Sequence, residues 1–151
     1  MSIINHKNII KLIDTFENEE YIFIVMEYMK GGNLTSYLKK KHFCISERKT
    51  KEIIKQNADG ISYLHNYGII HRDIKSDNIL LSDNSDNFNI KITDFGLSKI
   101  MGNSEKTNEG FGTINYASPE ILLRIPYEKG IEALGILLFF ILTARYPFSR
   151  N

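Results

Sequence analysis

The sequence predicts an α+β domain in which small hairpins accompany a mostly helical body. Three observations lead there. Two runs rich in β-branched and aromatic residues, 9–16 and 21–28, flank the polar stretch Glu17-Asn18-Glu19-Glu20, the pattern of an antiparallel hairpin. Two later stretches each begin with a capping side chain, Asn33 and Ser46, and continue with apolar residues at helical spacing. Finally, residues 131–142 are apolar on nearly every side, as in a helix at the centre of a domain.

Along the chain, Gly31 and Gly32 end the first hairpin, and Asn33 opens a short helix with Leu34, Tyr37 and Leu38 on one side. Ser46 opens a longer helix in which Ile54, Ala58, Ile61 and Leu64 mark the expected core face, ending at Gly68. Residues 79–81 and 90–93 bracket a polar loop and read as a second small hairpin. Residues 102–112 are polar and flanked by glycine, which predicts a mobile surface segment. Pro119 restarts regular structure.

Composition sets outer limits. A length of 151 residues with 42% hydrophobic and 25% charged residues suits one domain with a buried core. Nineteen basic against eighteen acidic residues leave a net charge of +1, so no overall field recommends nucleic acid or an anionic membrane as partner. Cys44 is the sole cysteine, which rules out an internal disulfide and predicts a reducing compartment, cytoplasmic or nuclear. The apolar run 136–142 is too short to span a bilayer.

The chemistry concentrates in residues 71–80, HRDIKSDNIL. Phosphoryl transfer needs a carboxylate near the attacking hydroxyl, oxygen ligands for Mg2+, and cations against developing phosphate charge. Asp73 can accept the hydroxyl proton and Lys75 can neutralise the transferred phosphate. Asn78 and Asp94 offer hard oxygens for Mg2+. Gly96 allows a sharp turn after Asp94 and Phe95.

HRDIKSDN, the DFG at 94–96 and the SPE at 118–120, in this order, resemble the catalytic loop, metal loop and activation-segment end of eukaryotic protein kinases. The similarity runs from HKNIIKL at 6–12 through IVMEYMKGGNL to GILLFFILTARYPF at 135–148. It implies a protein-kinase-like fold, with residues 1–29 as the end of the small lobe and the hinge, and 30–151 as an incomplete, mostly helical large lobe. ATP and Mg2+ are the implied cofactors and a protein is the implied substrate. Lys75, two residues after the base, points to the serine/threonine type, and Thr113 matches the threonine that bridges Asp73 and Lys75 in that family. Met26 matches the residue that limits access behind the adenine, Glu27 and Met29 those whose backbone groups bond its edge, and Leu80 the one that packs beneath it. Leu12, His71 and Phe95 match members of an apolar stack. Asn33 replaces a glutamate found in kinases that select an upstream basic residue, so strong arginine dependence is not expected.

Arg72 matches an arginine that receives a phosphorylated activation loop, and the usual phosphosite position falls on Glu109. Two expectations stand side by side: Glu109 pairs with Arg72 and partly replaces phosphate, or Glu109 is a solvated loop glutamate, with Thr107 and Ser104 as alternative sites for an upstream kinase. Against the family pattern, the sequence opens just before the fourth small-lobe strand, without the glycine-rich loop, its lysine and the partner glutamate. Lys7 and Lys11 are expected to be solvated surface lysines. The aspartate and tryptophan that precede the central helix are absent, and Gly130, Ile131 and Glu132 stand there, with Glu132 a candidate replacement. A kinase domain truncated at both ends and inactive or weakly active alone is therefore expected. A noncatalytic interaction module or a truncated gene product is the alternative.

Overall fold

A computed structural model describes residues 4–102, 105–127 and 131–148. Ser104 and Gly130, singled out above, lie outside these residues. The architecture is α+β, with three two-stranded antiparallel ladders among the described residues and a helical body.

The opening hairpin pairs β1 (Leu12–Glu17) with β2 (Ile22–Met26), placing Phe16 opposite Phe23 and Leu12 opposite Met26. Asn18 makes the turn, since its side-chain oxygen accepts from the N–H groups of Glu20 and Tyr21. The first strand begins three residues later than the β-rich run suggests. Ile9 and Ile10 are instead buried, and the Ile10 N–H donates to the Ile92 carbonyl at 2.9 Å. Their apolar character thus reflects packing on the large body of the molecule, whereas β1 and β2 leave Ile13, Ile22 and Ile24 exposed.

Helix α1 (Leu34–Lys40) is capped by Asn33, whose side chain accepts from the Ser36 N–H, and it buries Leu34 and Leu38. Helix α2 (Glu47–Asn66) is capped by Ser46 onto the Lys49 N–H. Its buried line runs through Thr50, Ile53, Asn57, Gly60, Ile61 and Leu64, while Ile54 and Ala58 are only half-buried. The expected face was therefore rotated, because three of the buried positions are polar or glycine and carry no hydrophobic signal. At Gly60 an added Cβ would lie 3.0 Å from Ile92 and 3.2 Å from the Asn8 carbonyl, so a small residue is what lets α2 approach.

β3 (Ile69–Ile70) pairs with β6 (Lys99–Ile100), and β4 (Ile79–Leu81) with β5 (Ile90–Ile92). These ladders anchor both ends of the 71–78 loop and of the 93–98 loop. Further on, α3 (Pro119–Leu122) is a single turn and α4 (Glu132–Thr143) packs on α2 with Ile136, Leu137, Phe140 and Ile141 buried. Leu138, Phe139 and Leu142 stay exposed, so α4 is covered on one side rather than all round.

The segment expected to be mobile surface is tied down in part. Thr107 is 4% exposed and forms an antiparallel bridge with Tyr127. The arginine ring contact of Phe111, stacked at 4.7 Å under the Arg72 guanidinium, holds its far end. The surface reading holds for its other described residues, which are exposed, and Thr107 is the exception.

Candidate active site

The loop that follows β3 turns at Arg72, whose φ of 66° is left-handed, and closes with a 3-10 turn over Ser76–Asn78 that leads into β4. His71 is buried beneath it. Its Nε2–H donates to the Thr93 carbonyl at 2.9 Å and its Nδ1 accepts from the Asp73 N–H at 3.3 Å, an arrangement that requires the neutral ring. His71 and Phe95 meet edge to face at 5.0 Å, and Leu12 borders the same groove as Phe95.

Asp73, 7% exposed, is the hub. Its Oδ1 accepts from the Thr113 N–H at 3.0 Å and the Thr113 hydroxyl at 2.7 Å. Its Oδ2 accepts from the Lys75 ammonium at 2.7 Å and the Asn78 amide at 3.0 Å. Lys75 also donates to Thr113 Oγ1 at 2.9 Å, so the threonine hydroxyl bridges cation and carboxylate. Burial by itself pushes the Asp73 carboxyl up, but the bonds from Lys75, Thr113 and Asn78 outweigh it and hold the group below the ordinary carboxylate value. Asp73 is thus ionised at neutral pH.

Burial holds His71 below the ordinary imidazole value, against the pull of its Thr93 bond and of the Asp73 and Asp94 carboxylates. The unfolded chain takes up this proton near pH ~6.5 and the folded chain only at lower pH, so the neutral ring favours folding fully above about pH 6.5. That contribution is lost as pH falls through the depressed folded value. Replacing His71 with Phe is expected to flatten the fall in melting temperature between neutral and mildly acidic pH. Parallel pH profiles of the two proteins would count against the assignment.

Asp94 is exposed at a left-handed backbone position, φ 65°, with Oδ1 accepting from the Gly96 N–H at 3.3 Å. Among the described residues no three His, Cys, Asp or Glu side chains cluster as a metal cage. The donor set nevertheless suits Mg2+, which takes one or two carboxylates together with phosphate and water oxygens. Asn78 supports this, because its amide nitrogen is committed to the Asp73 carboxylate and carbonyl, leaving the amide oxygen for a cation.

Leu80 is half-buried and bridges in register to Asn33. The Glu27 N–H is taken by the Lys11 carbonyl at 3.0 Å, whereas no hydrogen bond from the Met29 N–H to the described residues is found. The Glu27 carboxylate binds Lys91 at 2.7 Å, a structural tie from this connection to β5 that sequence reading did not suggest. Met26, with Leu12, Ile24, Asp94 and Phe95, lines an apolar groove of about 620 Å3.

The structure brings Arg72 and Glu109 into a direct ion pair, and Lys99 approaches the same carboxylate oxygen at 3.5 Å. The Arg72 hydrogen bond, with the Lys99 charge, holds Glu109 below the ordinary carboxylate value despite some burial. Two expectations need correction. Thr107 is buried and bonded to Tyr127 through both backbone groups, so it is no accessible phosphosite in this conformation. Glu132 is exposed and borders a small cavity shared with Arg72 and Asp73, but no hydrogen bond links it to the loop among the described residues. Sequence reading also passed over Ser76, buried within hydrogen-bond reach of Thr35 at 2.7 Å and Tyr116 at 3.2 Å. Its place inside the 71–78 motif was the available signal. Lys99 and Tyr127 carried none, since two-residue strands and isolated bridges have no periodicity.

A mostly helical body bearing this carboxylate, lysine, threonine and asparagine constellation between two small ladders defines a kinase-like catalytic lobe. The chain belongs to the protein kinase domain family, whose model matches residues 1–151. It is 41% identical over 99% of its length to mouse (Mus musculus) NUAK family SNF1-like kinase 1, covering 22% of that protein. It is 38% identical over 99% of its length to the probable serine/threonine-protein kinase HSL1 of Saccharomyces cerevisiae, covering 10% of it. A probable myosin light chain kinase of Dictyostelium discoideum is 34% identical over 98% of the chain, which covers 38% of that relative. The chain therefore spans well under half the length of these curated relatives.

Proposed function

We propose that the chain carries the phosphoryl-transfer residues of a protein serine/threonine kinase, moving the γ-phosphate of ATP to a protein hydroxyl. The observation that supports this most is the convergence of Lys75, Thr113 and Asn78 on the Asp73 carboxylate. Four donors fix both oxygens, so the carboxylate is oriented before substrate arrives. Asp73 accepts the proton of the attacking hydroxyl as its oxygen bonds to phosphorus and the bond to the leaving ADP oxygen breaks. Lys75, with its ammonium already aimed into the site, faces the charge that develops on the transferred group. Mg2+, held by Asn78 and Asp94, would neutralise the nucleotide phosphates when bound. Met29 offers its N–H to the adenine edge and Leu80 an apolar surface below it.

Lys75, Thr113 and the names of the relatives favour serine and threonine over tyrosine as acceptors. Glu109 supplies, without modification, the anion that Arg72 and Lys99 hold, so activity need not await an upstream kinase. The test is to incubate the full-length protein with Mg2+, γ-labelled ATP and a mixed protein substrate, then identify the labelled amino acid. Label on serine or threonine is expected. Label mainly on tyrosine, or the absence of transfer from a folded protein that binds ATP, overturns the reading.

A further inference from the structure

We propose that Tyr127 is a positioning residue that fastens the 107–109 segment against the catalytic loop and so keeps Glu109 seated on Arg72; this rests on the reading of Glu109 given above. Tyr127 is 7% exposed although it belongs to no strand or helix. It exchanges both backbone hydrogen bonds with Thr107, the Thr107 N–H donating at 3.0 Å and the Tyr127 N–H at 2.9 Å. Its hydroxyl then reaches two residues on and donates to the Glu109 carbonyl at 3.1 Å. Glu109 is thereby held at both ends, by Tyr127 at the backbone and by Arg72 and Lys99 at the carboxylate.

The Thr107 side chain fills the space between, with its hydroxyl 3.3 Å from Lys99 Nζ and 3.4 Å from Glu109 Oε2. An isolated two-bond bridge is weak by itself, because it lacks the neighbouring pairs that make a ladder cooperative. The phenolic hydroxyl adds a contact to the Glu109 backbone, beside the longer ones from the Thr107 side chain. Losing it leaves the Glu109 carbonyl to the Phe111 N–H at 3.1 Å alone and lets the segment open locally. Phe111, its ring 4.7 Å from the Arg72 guanidinium, would remain.

The experiment uses the full-length protein as wild type, Tyr127→Phe, Glu109→Gln and the double variant, all treated with phosphatase. Phenylalanine keeps the ring and both backbone bonds and removes only the hydroxyl. Amide hydrogen exchange at Thr107, Glu109 and Phe111 is expected to accelerate about three- to tenfold in Tyr127→Phe, as for the loss of one neutral hydrogen bond, while exchange in α2 stays unchanged. The kcat should fall several-fold without a change in KM for ATP, and the double variant should be no slower than Glu109→Gln. Unchanged exchange at the three amides overturns the proposal, and so does multiplication of the two kcat effects, since Tyr127 would then act elsewhere. If Glu109→Gln keeps wild-type kcat while Tyr127→Phe loosens the segment, the resident-anion reading fails and the fastening role of Tyr127 stands.

Discussion

Asp73→Asn is expected to slow phosphate transfer to a protein substrate by at least about a thousandfold while leaving nucleotide affinity within about threefold. The magnitude is that of removing a positioned general base, about 10² to 10⁴ in rate, compounded by loss of the charge that holds Lys75 at 2.7 Å. An amide cannot accept the hydroxyl proton, and its NH2 group would face the donors that now converge on the carboxylate. Nucleotide binding should persist because Leu80, Met29 and Asp94 lie apart from this exchange. Single-turnover transfer with labelled ATP measures the rate, and a fluorescent nucleotide measures affinity. A variant as fast as the wild type would remove Asp73 as base, and equal losses of rate and affinity would recast it as a structural carboxylate.

The second large effect is expected at Gly112. Its φ is 113°, in the region that favours glycine, and an added Cβ would lie 2.5 Å from the Arg72 carbonyl oxygen. That oxygen belongs to the backbone of the catalytic loop and cannot swing aside as a side chain would. Gly112→Ala must therefore move the segment, and the residue it moves first is Thr113, which places two hydrogen bonds on Asp73. Misplacement by about 1 Å costs on the order of 10² in rate, and a strained backbone costs about 1–3 kcal/mol. Both are expected, in transfer assays and in urea unfolding. Gly135→Ala is the control, because nothing lies within 4 Å of its Cβ and it sits inside α4. There alanine should stabilise by about 0.5–1 kcal/mol. Wild-type transfer by Gly112→Ala would mean that the close approach to Arg72 is dispensable.

The sequence alone determined what is encoded within a few residues. The caps Asn33 and Ser46 were legible because an N-cap bonds an N–H only three residues away, and the small 79–92 hairpin because its strands flank one loop. The polar residues of 71–78 were legible as a set because phosphate chemistry restricts both their types and their order. The ion pair of Arg72 with Glu109 was anticipated only by counting against a family pattern, since nothing local joins residues 37 positions apart.

The tertiary structure decided the rest. It chose which side of α2 is buried, since Gly60 is admitted by close packing on Asn8 and Ile92, and Asn57 is buried with its amide donating to the Ile53 carbonyl, rather than by hydrophobicity. It sent Ile9 and Ile10 to β5 instead of the opening hairpin, buried Thr107 against Tyr127, and left Glu132 without a bond to the catalytic loop. It also oriented the Asp73 carboxylate, because Thr113 reaches its Oδ1 from 40 residues away. Each of these outcomes depends on contacts between segments distant in the chain, whose free energy exists only once the backbone is folded around them. Local spacing therefore identified the chemical groups, and long-range packing set the geometry in which they meet.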